Sequence, residues 1–436
     1  MNRLRALWLN INASFWFVPT LMVAGAILLA FGLVLVDVRI NHDGLADYPL
    51  LFGAGSDGAR GMLTAIAGSM ITVAGLIFSL TLSTLAQVSS QYTPRVLRNF
   101  MRDRGNQLVL GFFVSIFVYC LIVLRTIRGG DEGRFIPSLA VLMGLVLALV
   151  SIGVLIFFIH HIASSIQASN IVRNAAEETE AAIGRLFPDE LGQPADETEA
   201  QALRQQAGQL QWQFVPAPAS GYVQSVDEDG LLDLARELGC VVRMEHGMGG
   251  FVAQGAALVA VARYGGGEIG LTEELRGRFS TRFGLGSQRT VEQDAGFGLR
   301  QIVDIALKAL SPGINDTTTA LICVDYLGSL LAQLAGRRLA GPLRADEDRV
   351  RVLAVRPSFG DFVATAFDQI RINADGNAAV YLRLLTALAT VGQRTQSPAR
   401  LRALRQQAGL IGEAARRTLH THYERQQVQA RLAEVG

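Results

Sequence analysis

Charge is absent from four stretches of this chain: no Asp, Glu, Lys or Arg occurs in 15–36, 61–94, 105–124 or 135–172. A helix needs about 20 apolar residues to cross roughly 30 Å of hydrocarbon, and all four stretches reach that length. The pattern predicts four transmembrane helices at about 15–38, 61–88, 107–127 and 135–161. The first is too long for a signal peptide and lacks its small-residue cleavage pattern. The second and fourth runs exceed what a bilayer requires: 34 uncharged residues would make about 51 Å of helix. Both are expected to continue as helices beyond the membrane. Ahead of the first span, 1–14 reads as an interfacial helix, with Leu4, Leu7, Trp8 and Ile11 at helical spacing beside Arg3 and Arg5.

The second run is one-sided. Thr64, Gly68, Thr72, Gly75, Ser79, Ser83, Gln87 and Ser90 advance by steps of three or four and so share a face. Ile66, Met70, Val73, Ile77, Leu80 and Leu82 offer the other side. One reading is close packing, because small residues let helices approach. The other is a water-facing stripe lining a pore between copies of the chain, since polar residues at membrane depth face protein or a cavity. Phe78 and Leu82 beside the stripe are a candidate gate that closes by dewetting.

After 161 the periodicities change. A helix and linker occupy 162–210, with Ile171, Ala175, Ile183 and Leu186 on one side of the helix. A small β-rich module follows at 211–264. Its strands are Gln213-Phe-Val-Pro, Ser220-Gly-Tyr-Val-Gln-Ser-Val and Cys240-Val-Val-Arg-Met, with a short helix at 231–238. The turn at 249–261 resembles that of barrel–sandwich carrier domains, but no lysine lies there to carry a biotinyl or lipoyl group. The rest, 265–436, is mainly helical: Thr272 caps one helix, another runs from about 290 to 310, a third ends near 334, and 349–355 alternates like a strand. The fold class is thus an α-helical membrane domain with four transmembrane helices, plus a cytoplasmic α+β domain.

Composition sharpens this. Half of the 436 residues are apolar and 18% are charged, against about 25% in an average soluble domain. The net charge of +1 joins a basic N-terminal part to a mildly acidic remainder, which argues against nucleic-acid binding. Arg95, Arg98, Arg102 and Arg104 between the second and third spans place that loop and both termini in the cytoplasm. They would also favour anions if they lined a cytoplasmic exit. Cys120, Cys240 and Cys323 lie too far apart for a disulfide framework or a zinc knuckle.

Local chemistry concentrates at 311–320. Asn315 or Asp316 can cap a helix there, or a ligand site can form from Asp304, Lys308, Ser311, Asn315, Asp316 and Thr317. Asp304 and Lys308, four apart, permit an ion pair. Ser311 with Lys308, the only lysine, lacks an oxyanion-hole signature, so no catalytic residue is assigned and no enzyme is expected. His160-His161 and His420-Thr-His422 read as surface histidines, and no metal or cofactor is expected.

Two motifs carry a likeness. Gln293-Asp-Ala-Gly-Phe-Gly-Leu-Arg-Gln-Ile-Val-Asp-Ile-Ala-Leu-Lys-Ala-Leu-Ser-Pro-Gly-Ile-Asn-Asp316 and Ser89-Ser-Gln-Tyr-Thr-Pro-Arg-Val-Leu-Arg98 resemble the signature of a bacterial family of predicted membrane proteins of unknown function. In that pattern Pro follows the Asn-Asp pair, where this chain has Thr317. The resemblance implies the bacterial inner membrane and the architecture, and no activity. The expected function is a homo-oligomeric channel or pore for ions or small solutes, its partners being lipid and other copies, with the cytoplasmic domain as vestibule or sensor. The alternative is a membrane-anchored scaffold or signalling protein whose cytoplasmic domain binds a ligand or partner.

Overall fold

The computed structural model describes residues 16–39, 55–91, 103–128, 135–165, 167–187, 210–264, 266–291, 293–339, 341, 343–346 and 349–435. The interfacial helix expected at 1–14, most of the linker, and Arg95, Arg98 and Arg102 lie outside these residues. The chain divides into two compact units, 1–170 and 171–436.

The first unit holds four apolar helices: α1 Phe17–Arg39, α2 Ser56–Gln91, α3 Arg104–Thr126 and α4 Ser138–Ser165. Helix α3 is the hub, packing against each of the other three. Its apolar window is 56% buried, against 11% for α1 and 17% for α4. Phe113, Ile116, Tyr119, Cys120 and Val123 fill the centre of this unit. Leu28, Phe31, Leu149, Ile152 and Ile156 point outward from α1 and α4. As expected, α2 is long, 36 residues. Helix α4 stops at Ser165, and a new helix, α5 Ala168–Leu186, begins three residues on. The Asn170 side chain donates to the Ser164 carbonyl (2.7 Å), which closes one orphan carbonyl at that break.

In the second unit α5 buries Ile171, Val172, Ala175, Ala176, Thr179, Ala182 and Ile183. The strands are β1 Gln213–Pro216, β2 Gly221–Val226, β3 Cys240–Met244, β4 Phe251–Val252, β5 Ala257–Arg263, β6 Phe283–Gly286, β7 Leu343–Asp346 and β8 Arg349–Leu353. Two short helices, α6 Glu228–Glu237 and α7 Glu273–Ser280, lie among them. One sheet has the order β1-β5-β3-β8-β7, the other β4-β2-β6. The sheets therefore reach beyond 211–264, taking β6, β7 and β8 from later in the chain. The apolar run of β3 explains why: with Cys240, Val241 and Val242 fully buried, its second edge needs a partner, and β8 supplies one in parallel.

Six helices complete this unit: α8 Ala295–Ala309, α9 Thr317–Gly336, α10 Phe359–Asn373, α11 Ala378–Gly392, α12 Pro398–Thr418 and α13 His422–Ala433. Helix α8 starts five residues later than its apolar pattern suggests. Asp294 caps it, accepting from Phe297 N (2.9 Å) while paired with Arg289 at 2.7 Å. Burial pushes the Asp294 carboxyl above its ordinary pKa despite the arginine. Helix α5 docks on α8 where Gly298 stands, since a Cβ there would lie 2.3 Å from Thr179 Oγ1. Among the described residues, five helices could cross a membrane by length and composition rather than the expected four; the fifth is α9.

Candidate functional site

The polar stripe of α2 is on the outside of the first unit. Thr64, Gly68, Thr72, Gly75, Ser79, Ser83 and Gln87 are all exposed. The opposite side supplies Leu63, Ile66, Ala67, Met70, Ala74 and Ile77 to the core. A Cβ added at Gly68 or Gly75 would meet nothing within 4 Å. Among the described residues, packing therefore does not use Gly68 or Gly75. Leu80 and Leu82, grouped by sequence with the packed side, are exposed as well. Thr72 donates its hydroxyl to the Gly68 carbonyl (2.8 Å), as hydroxyls on apolar helices commonly do. Of the candidate gate pair, Phe78 leans on Trp16, just ahead of α1, with ring centroids 6.5 Å apart, and Leu82 is half exposed. The Ser90 side chain is outside the described residues.

Neighbouring contacts give the stripe a depth. Arg60 Nη2 donates to the Ile127 carbonyl (3.0 Å), tying the start of α2 to the end of α3. Leu63 and Tyr119 both border Gly144 of α4, at 3.0 and 3.7 Å from its Cβ position. From that level, α3 runs 15 residues back to its start at Arg104, and 15 residues along α2 reach Phe78, each about 22 Å. Seventeen residues along α4 from Gly144 reach His161, and sixteen back along α3 from Tyr119 reach Asp103, each about 25 Å. The 2.6 Å distance between His161 Nε2 and Asp103 Oδ2 confirms that the two are level. So α2 from Ser79 to Gln91 projects about 20 Å past the level where α3 begins. The stripe has two parts: Thr and Gly beside the other helices, Ser and Gln beyond them.

At that level Asp103 does two jobs. One oxygen accepts from Gly105 N (2.8 Å) as the α3 cap, and the other meets His161. The imidazole stacks on Phe157 and sits over Gly105, where a Cβ would be 2.7 Å from Nε2. Sequence reasoning treated both histidines alike; His160 is exposed, whereas His161 is a tether between α3 and α4. It also passed over Asp37, which is 1% exposed and accepts from Leu139 N and Ala140 N, each at 3.1 Å. A lone carboxylate inside Leu35-Val36-Asp37-Val38 was the available signal.

The residues proposed around 311–320 are mostly engaged in local hydrogen bonds and ion pairs. Asp304 pairs with Arg300 (3.0 Å) rather than with Lys308. Ser311 Oγ donates to the Lys308 carbonyl (2.6 Å), closing the end of α8. Asn315 is exposed with φ +49°, the left-handed turn residue between two helices. Asp316 caps α9, accepting from Thr319 N (3.0 Å) and Thr319 Oγ1 (2.5 Å), which holds its pKa below the ordinary carboxylate value. Thr317 accepts from Asn377 Nδ2 at 2.9 Å. Asp316→Ala is expected to cost about 1 kcal/mol of stability by chemical unfolding at neutral pH. Because the folded pKa is depressed, this difference is present above the unfolded carboxylate range and disappears as pH falls through the folded value.

Several long apolar helices followed by a mixed domain with small sheets mark a membrane protein. The sequence pattern of DUF2254, a family described as predicted membrane protein, matches residues 12–390. The chain belongs to that family. Uncharacterized proteins of Mycobacterium tuberculosis (Rv1290c) and Mycobacterium bovis (Mb1321c) are each 34% identical to it over 440 residues, covering 100% of this chain and 83% of theirs. No solved structure matches the chain.

Proposed function

We propose that the protein is a homo-oligomeric channel of the bacterial inner membrane, with α2 lining the path and the second unit forming a cytoplasmic vestibule or sensor. It has no catalytic role in this reading. The observation that carries it is the outward stripe: Thr64, Gly68, Thr72 and Gly75 are exposed on the protomer at the depth of the other apolar helices. Polar groups there need protein or water rather than lipid. Four helices span, α1 to α4. Helix α9 stays with the second unit because Asp325, in its middle, is exposed and paired with Arg383 (3.5 Å). The arginine-rich loop after α2 sets both termini in the cytoplasm, so the Ser and Gln end of α2 projects inward as the mouth of the path.

Cysteine accessibility tests the reading. The native Cys120, Cys240 and Cys323 are all buried, which keeps the background low. Cysteines at 64 and 72 in the intact membrane protein should react with a water-soluble thiol reagent, and Thr72→Leu should reduce ion flux in liposomes. Protection at both positions, with no flux change, would sink the channel. Reaction at 83 decides nothing, since that position lies beyond the start of α3.

A further inference from the structure

Asn106 lies in the first turn of α3 and is 1% exposed, yet neither its Oδ1 nor its Nδ2 has a hydrogen-bond partner among the described residues. A carboxamide in apolar surroundings carries a desolvation penalty on both ends unless something answers it. Counting from the level shared by Leu63 and Tyr119, 13 residues along α3 reach Asn106 and 14 along α2 reach Ile77, each about 20 Å. Ile77 is on the packed face of α2, 1% exposed. The next side chain along that face is Thr81, also buried, whose hydroxyl donates to the Ile77 carbonyl at 2.8 Å. Its oxygen retains lone pairs for an incoming donor.

We propose that Asn106 is a hydration site inside the membrane unit, seating a water molecule between α3 and α2. Water is the ligand class that fits. It donates and accepts at once, as both ends of the carboxamide require. A buried water typically makes about three hydrogen bonds, and the Asn106 carboxamide offers two of them. The site is contained in one protomer and stands or falls independently of the channel.

Radiolytic hydroxyl-radical footprinting of the full chain in nanodiscs reads it, because radicals generated from bound water oxidise the side chains beside it. Ile77 and Leu110, both buried, should be oxidised in the wild-type protein. That oxidation should be lost in Asn106→Leu and kept in Asn106→Ser, whose hydroxyl still bonds water. Unmodified Ile77 and Leu110 in wild type, while exposed Leu82 is labelled, would overturn the proposal. So would equal oxidation in Asn106→Leu with unchanged amide exchange along α3.

Discussion

Replacing Asp37 with alanine is expected to destabilise the membrane unit by about 3 kcal/mol. The carboxylate is buried at the end of α1, and its two oxygens each take one backbone N–H from the first turn of α4. The first N–H groups of any helix have no partner within it. Removal of the carboxylate orphans two buried donors, each costing about 1–3 kcal/mol. It also removes negative charge from the positive end of the α4 dipole. Tyr119 donates to the Ala140 carbonyl (2.7 Å) in the same place, so α1, α3 and α4 loosen together. Asp37→Asn, with one acceptor oxygen left, should lose about half as much. Thermal unfolding in detergent measures both, and an unchanged midpoint for the alanine variant would refute the capping role.

A loss of similar size is expected for Arg400→Met in the second unit, about 3 kcal/mol. Arg400 Nη1 donates to the carbonyls of Ala335 (2.6 Å) and Leu334 (3.4 Å), and Nη2 to that of Arg337 (2.8 Å). These carbonyls lie at the C-terminal end and cap of α9, where Leu334 O also accepts from Arg337 N (3.2 Å). The guanidinium also lies 5.4 Å from the Phe359 ring centroid, and burial lowers its pKa below the ordinary arginine value. Methionine keeps the stem packing and removes the fork. Arg400→Lys should recover only part of the loss, because a single ammonium cannot address three carbonyls in fixed directions. Faster amide exchange over the last turn of α9, alongside a lower unfolding midpoint, is the expected signature.

Local signals were read well where one physical cause dominates. The strands at Gln213, Gly221 and Cys240, the Thr272 cap and the Asp316 cap follow from alternation and side-chain oxygens placed next to helix starts. Pairings were not. Asp304 has a basic neighbour four residues away on each side, Arg300 and Lys308, and spacing alone gives no reason to choose between them; the structure pairs it with Arg300. The β3–β8 pairing joins residues more than a hundred positions apart, with no trace in local periodicity. Asp103 and His161 likewise meet only because α3 and α4 pack side by side.

The stripe on α2 marks the boundary between the two kinds of knowledge. Sequence by itself determined that four long apolar helices exist, that the second has two unlike faces, and that a mixed α and β domain follows. It could not say which face of α2 turns inward. In water the apolar face must be buried, so amphipathicity assigns the inside. Lipid is as apolar as a protein core, so a membrane helix gains nothing by that rule and either face can pack. Tertiary structure alone decided it: Leu63, Met70 and Ile77 interlock with α3, and the glycines and threonines are left facing out.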